Sequence, residues 1–218
     1  MTSFPLLDSL PAEETERVLR AARRHRFAKG EVIFHEGDPA DTFHVIAEGR
    51  CAVRVSTPSG DVATLTVLRE GDMFGELALL DAGSLRSAAA VALEPCATLS
   101  IRRADFDRLR DEHPSVTQVL MALLTQRIRR LTERLVEALY MPADQRVIKR
   151  LLELIDTYDA EGEPCVVRIA QEDLAGLAGT SRATVNRVLR KEAKRATVRL
   201  ARASITILDR TRLEQRSG

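Results

Sequence analysis

Between Phe27 and Ile101 the chain is punctuated by Gly30, Gly37, Gly49, Gly60 and Gly71, and each interval holds only a short apolar run. The runs are Val32–Phe34, Phe43–Ile46, Ala52–Val55 and Leu65–Leu68, followed by Val91–Leu93 and Ala97–Ile101. A globular helix runs about eleven residues on average, whereas a strand is complete in about five. This stretch therefore reads as an antiparallel sandwich or barrel. Helices are expected on either side. Pro11–His25 opens on Pro-Ala-Glu-Glu, which suits a first turn, and closes on Arg20, Arg23, Arg24 and His25, where the helix dipole favours cations. Arg103–Leu109 reads as a short helix before Pro114, and Ser115–Tyr140 as a long one. The fold class expected is α+β.

The long helix carries Leu124, Ile128, Leu131, Leu135 and Ala138 at steps of 4, 3, 4 and 3, the spacing of a coiled-coil seam, with Arg127, Arg129, Arg130, Glu133 and Arg134 on its flanks. Two readings fit: a seam for a second copy of the chain, or a helix lying on its own core. Met141-Pro142-Ala143-Asp144 is the expected hinge, since Pro142 can start a helix but not continue one. Beyond it the spacing predicts an amphipathic helix over Arg146–Asp156, a polar loop over Tyr158–Pro164 and a strand from Cys165 to Ile169.

Gln171–Lys194 carries the run QEDLAGLAGTSRATVNRVLRK, and its apolar positions have helical spacing on both sides of Gly179. Two helices joined by such a turn make a helix-turn-helix. The second would start near Ser181, burying Val185, Val188 and Leu189 and exposing Arg182, Ala183, Asn186, Arg187 and Arg190. Arg182 and Arg187 are each able to read guanine O6 and N7, and Ser181 and Thr184 suit phosphate oxygens. The net charge is only +1, yet Gly179–Arg202 holds eight basic residues against Glu192 alone, a local patch of the sign DNA requires. Val198–Leu208 should form a two-stranded wing.

Phe74–Ala89, FGELALLDAGSLRSAA, sets Glu76 and Arg86 in small and apolar surroundings. Gly75 permits close approach of the backbone, and a helix starting near Glu76 would favour an anion. Arg86 offers a planar fork of donors for phosphate, and Ser87 adds a hydroxyl. Glu76 repels phosphate but accepts from a sugar hydroxyl. The combination suits a phosphate joined to a sugar; the alternative is a loop bearing an exposed ion pair, which would contribute little.

The pattern G-E-L-A-L-L-(x)5-R-S-A resembles the phosphate-binding cassette of the cyclic-AMP receptor protein type within the Crp/Fnr regulator family, and A-G-x-S-R-x-T-V-x-R-x-L resembles that family's recognition helix. GEVIFHEGD and FHVIAEGRCAV are similar to its jelly roll, so the resemblance covers nearly the whole chain. It implies an N-terminal antiparallel β-roll of cyclic-nucleotide-binding type over 1–114, a dimerisation helix and hinge over 115–141, and a winged helix-turn-helix over 142–218. It implies a DNA-binding transcription regulator, not an enzyme, controlled allosterically by a cyclic nucleotide, with cyclic AMP expected and no covalent cofactor. The nucleotide site implied is Gly75, Glu76, Leu77, Ala78, Arg86, Ser87 and Ala88, with Leu131 and Thr132 from the long helix. The DNA site implied is Gln171, Ser181, Arg182, Ala183, Thr184 and Arg187. Partners implied are double-stranded promoter DNA, a second copy joined along 115–140, and RNA polymerase, for which the Tyr158–Pro164 loop is a contact by analogy. A regulator that binds DNA constitutively, or answers a different ligand, is the alternative.

The sequence departs from the family in several places. Leu131 stands where cyclic-AMP-binding members place a Thr against adenine, while Thr132 keeps a hydroxyl. Ala183 replaces the Glu that accepts from cytosine, which predicts an altered half-site. Ala196, Ala201 and Ala203 stand where the family has glycines, and Ala170 where it often has a capping Thr. Cys51, Cys96 and Cys165 form no CxxC pair, the four histidines have no metal spacing, and no Cys precedes Cys51 to build an N-terminal iron–sulfur set. No metal site is expected. The first residues lack a basic leader and no apolar run reaches about 18 residues, so a cytoplasmic protein without a membrane span is expected.

Overall fold

The computed structural model describes residues 11–57, 60–80, 83–158 and 164–217. Expectations resting on the first ten residues and on the interior of the Tyr158–Pro164 loop lie outside the described residues. The chain runs α1 (Ala12–Ala21), β1 (Arg23–Phe27), β2 (Val32–Phe34), β3 (Thr42–Glu48), β4 (Cys51–Ser56), β5 (Val62–Leu68) and β6 (Met73–Phe74). It continues through α2 (Leu77–Leu80), β7 (Ala89–Ala92), β8 (Cys96–Arg102), α3 (Arg103–Glu112), α4 (Pro114–Tyr140) and α5 (Ala143–Thr157). The remainder is β9 (Cys165–Val167), α6 (Gln171–Ala178), α7 (Arg182–Lys194), β10 (Val198–Ala201), β11 (Ser204–Ile207) and α8 (Arg210–Glu214). Two compact units result: residues 1–53 with 68–131, and residues 54–67 with 132–218.

The glycine-punctuated stretch forms two four-stranded sheets, β1-β8-β3-β6, antiparallel throughout, and β2-β7-β4-β5, in which β2 and β7 run antiparallel. In the first unit, one apolar cluster joins Val18 of α1, Phe43 and Val45 of β3, Ile101 of β8, Phe106 and Leu109 of α3, and Val116 and Leu120 of α4. Phe43 and Phe106 meet edge to face at 5.7 Å, the arrangement that aligns ring edge with ring face. A second cluster of Ile46, Cys51, Phe74, Ala90, Ala92 and Cys96 fills the roll.

One expectation is corrected by the strand pairing. The first helix ends at Ala21 rather than His25, and Arg23–Phe27 is a strand paired residue for residue with β8. Its charged side chains stand exposed on an edge strand, a placement that blocks further strand pairing. Val198–Leu208 forms the two expected wing strands, β10 and β11, and the strand expected from Cys165 joins them by pairing with β11, giving the order β10-β11-β9.

In the second unit, α5, α6 and α7 close over a core that includes Val147, Leu151, Leu174, Val185, Leu189, Ile205 and Leu213. Pro142 stands at the N-cap position of α5, immediately before its first helical residue, where a proline costs no helical hydrogen bond. Arg150 of α5, 3% exposed, donates to Glu137 of α4, and Lys149 Nζ lies 2.5 Å from the same carboxylate. The pairing matters because an unpartnered buried guanidinium is costly. The hairpin segment 54–67 joins this unit through Asp173 of α6. The Asp173 Oδ1 accepts from Arg54 Nε at 3.1 Å, Arg54 Nη2 at 2.7 Å and Thr64 Oγ1 at 2.7 Å.

Candidate functional site

In the first unit, the turn after β6 and the segment before β7 bring the cassette together. Gly75 has φ +76°, and a Cβ there would stand 2.6 Å from Arg86 Nη1. Glycine is thus required twice over, by backbone conformation and by the guanidinium beside it. Arg86 is 6% exposed. Its Nη1 donates to the Thr42 carbonyl at 2.6 Å and weakly to the Gly75 carbonyl at 3.4 Å, while Nη2 donates to Thr42 Oγ1 at 2.8 Å. The Cζ sits 4.2 Å from the centroid of Phe34, a cation–π contact. Burial pulls the Arg86 pKa down from its ordinary value, and Asp41, Asp38 and Glu76 oppose that. The outcome is a fixed, charged group within the roll, in place of the exposed ion pair that the residues alone left open.

Glu76 is 5% exposed and pairs with Arg127 of α4 rather than with Arg86. Phe34, Phe74, Gly75, Glu76, Leu77, Arg86, Ser87, Ala88 and Arg127 share the lining of one pocket. Ser87 is exposed at its edge. Ala78 lies within α2, a single turn of four residues. Leu131 is 59% exposed on α4 and is not among the lining residues, and Thr132 follows it, also exposed. Thr42, Phe34 and Arg127 escaped the sequence reading. A backbone carbonyl has no sequence signal, and Arg127 reads as one more flank of the helical seam.

Beneath the pocket, His44 stacks on Phe74 at 5.2 Å and its Nδ1 lies 3.2 Å from Thr98 Oγ1. Burial first, then the Arg86 charge and His25, lower its pKa from 6.5 to about 3. A neutral imidazole therefore sits next to the guanidinium without competing for an anion.

In the second unit, Gly179 takes φ 57° and ends α6, and Ser181 caps α7 by accepting from the Thr184 N–H at 3.2 Å. Ser181 and Thr184 are also bonded to one another at 3.1 Å. Val185, Val188 and Leu189 are buried, and Arg182, Ala183, Arg187 and Arg190 are exposed, as the helical period requires. Gln171 Oε1 accepts from Asn186 Nδ2 at 3.1 Å, tying the two helices together. Ala170 provides no side-chain cap to α6. Arg187 is engaged: Nη1 and Nη2 donate to Asp144 Oδ2 and Oδ1 at 2.9 and 2.6 Å. This bond raises the Arg187 pKa and lowers that of Asp144, the direction each takes in an ion pair. Asp144 entered the sequence reading only as part of the hinge.

Comparison with known proteins assigns both halves. The cyclic nucleotide-binding domain pattern matches residues 24–113, and the Crp-like helix-turn-helix pattern matches residues 145–216. A cyclic AMP receptor protein of Thermus thermophilus is 34% identical over 215 residues, 99% of this chain and 97% of that protein. The chain belongs to the Crp/Fnr family. This Crp/Fnr member is also 33% identical over 198 residues to a CRP-like cAMP-activated global transcriptional regulator of Mycobacterium tuberculosis, covering 88% of this chain and 86% of that one. The crystal structure of the Thermus thermophilus catabolite activator protein matches it with TM-score 0.57 at 34% identity, covering 98% of each chain. The Crp/Fnr member described here is accordingly a DNA-binding transcription regulator with a cyclic-nucleotide-binding domain, not an enzyme. No helix among its described residues is long and apolar enough to cross a membrane.

Proposed function

We propose that this regulator is a cytoplasmic homodimer whose DNA binding is controlled by cyclic AMP held in the β-roll. The observation that carries the reading is the buried Arg86, fixed by Thr42 and Gly75 at the wall of a pocket that also contains Glu76. Among the described residues those contacts take three of the five guanidinium N–H groups, and the other two suit an anionic oxygen. In this reading Arg86 and Ser87 hold the cyclic phosphate, and Gly75, Leu77 and Ala88 shape the wall, with Ala78 following Leu77 in the same short helix. Glu76 accepts from the ribose hydroxyl, which draws it away from Arg127. Leu131 and Thr132 lie toward the base.

In this reading the sensor domain spans 1–114, the dimerisation helix and hinge 115–141, and the winged helix-turn-helix 142–218, with the sensor's segment 54–67 falling in the compact unit of the DNA-binding half. Dimerisation is supported by Ile128, Leu131, Leu135 and Leu139, which stand 59–65% exposed on α4. Aliphatic side chains repeated along one helix gain most by meeting a second copy. Paired recognition helices would then enter successive major grooves of promoter DNA about 34 Å apart. Arg182 and Arg187 would read bases, with Gln171, Ser181 and Thr184 at the backbone and Ala183 leaving one base unread. RNA polymerase is the partner that such a promoter complex would engage.

A ligand shifts an equilibrium only by its preference for one state. Calorimetry with cyclic AMP and cyclic GMP, followed by DNA titration, tests the reading. The unaltered protein should bind cyclic AMP, and Arg86→Ala should lose that binding and the nucleotide-dependent gain in DNA affinity. Failure of the unaltered protein to bind either nucleotide rejects it. The second reading, a constitutive regulator or one answering another ligand, draws on Leu131, which cannot bond to adenine. Full DNA affinity without nucleotide would favour it.

A further inference from the structure

The recognition helix presents Arg187 already paired. Its terminal nitrogens both point at the Asp144 carboxylate, at 2.9 and 2.6 Å, in the end-on fork arrangement. A guanidinium has a second planar edge, formed by Nε–H and the outward N–H of the neighbouring nitrogen. The end-on pair leaves that side edge whole, and two parallel donors in one plane match guanine O6 and N7. Asp144 belongs to the first turn of α5, a helix anchored by Val147, Ile148 and Leu151 in the core of the same unit. The carboxylate is therefore mounted on a fixed element, whereas Arg187 is 61% exposed along a long stem that would otherwise sample many rotamers.

We infer that Asp144 is a positioning residue for base reading: by gripping the end of Arg187 it aims the side edge of the guanidinium into the major groove and sharpens selection of guanine at one position of each half-site. This inference rests on the DNA-binding reading of α7 given above. The alternative physical role for the same pair is a lock, in which Asp144 competes with guanine for Arg187. The two differ in sign. A lock opposes binding to the preferred site, so its removal raises both affinity and selectivity there. A positioning carboxylate opposes only non-specific attraction, so its removal lowers selectivity and leaves the affinity for unrelated DNA equal or greater.

The test is selection of bound duplexes from a library of randomised paired half-sites, using the full chain with and without cyclic AMP, followed by anisotropy titration of single-base variants. The unaltered protein is expected to select a guanine that Arg187→Ala no longer selects. At that same position Asp144→Ala should lower the guanine preference about ten-fold, with other positions unchanged and binding to an unrelated duplex not reduced. Asp144→Glu should restore part of the preference. In an Arg187→Ala background Asp144→Ala should change nothing at that position, which a general loss of folding could not mimic. Unchanged or increased guanine preference in Asp144→Ala overturns the inference, as does an equal loss at every position. If the protein selects a site in which no base depends on Arg187, the inference falls and the DNA-binding reading stands. If it selects no sequence at all, both fall.

Discussion

Helices α6 and α7 end in the same hydrogen-bond pattern with different residues at its critical point. After α6, the Gly179 N–H donates to the Gly176 carbonyl and the Thr180 N–H to the Ala175 carbonyl, with Gly179 left-handed at φ 57°. After α7, the Ala196 N–H donates to the Ala193 carbonyl and the Thr197 N–H to the Glu192 carbonyl, with Ala196 left-handed at φ 58°. Both are Schellman closures, which normally take glycine at this position. The turn between β10 and β11 repeats the situation, with Ala203 at φ 52°. A Cβ in this region costs about 1–2 kcal/mol. Replacement by glycine returns about 0.4–1 kcal/mol of that to the unfolded chain as conformational freedom. Ala196→Gly and Ala203→Gly should therefore each stabilise the second unit by about 0.5–1 kcal/mol.

The two positions lie in different turns, so the double variant should gain about 1–2 kcal/mol. In thermal unfolding followed by calorimetry, that is a rise of about 2–8 °C if the chain melts as one, and more if 132–218 melts alone. Ala201→Gly is the internal control. Ala201 lies within β10, paired with Ser204, and has no positive φ. Glycine there should cost about 0.5–1 kcal/mol. The reasoning is refuted if all three replacements shift the midpoint in the same direction.

Two further outcomes follow from burial and from the helical seam. His44 is protonated in the unfolded chain below about pH 6.5 but in the folded protein only near pH 3, so the unfolded state binds more protons in that window. Its contribution is complete above pH 6.5 and declines as the pH falls, by about 2 kcal/mol at pH 5, and urea titrations of His44→Phe should lose that part of the slope. On α4, Ile128→Asp or Leu135→Asp should convert a dimer into a monomer in sedimentation velocity while the circular dichroism spectrum is kept. A variant dimer of unchanged mass would remove the seam from the proposed interface.

The roll was legible because its signals are local: glycine breaks and short β-branched runs placed β2, β3, β4, β5 and β8 close to where they lie. β1 was hidden because Arg23-Arg24-His25-Arg26 has no apolar alternation, and its strand conformation comes from pairing with Ser100, Leu99, Thr98 and Ala97 across the sheet. β9 joined the wing for the same kind of reason, a pairing partner some forty residues distant in sequence that no local pattern announces. In the pocket, Arg86, Glu76 and Gly75 were readable from residue chemistry. The Thr42 carbonyl that holds Arg86 was not, since any residue could supply it. The three alanines in glycine positions looked equivalent in sequence, and only the backbone angles separate Ala196 and Ala203 from Ala201.

The allocation of residues 54–67 to the same compact unit as 132–218 means that the backbone passes between units three times, at 53–54, 67–68 and 131–132. A single proteolytic nick at any one of these divides the linear chain in two, and at least one of the pieces still carries segments of both units. The modules are consequently not interchangeable by tail exchange. Grafting a foreign C-terminal half after Leu131 would strand Arg54 and Thr64 without the Asp173 carboxylate that receives their three hydrogen bonds. A working chimera has to carry its own version of the hairpin, so descent by domain shuffling in this lineage would transplant two separated stretches of coding sequence together.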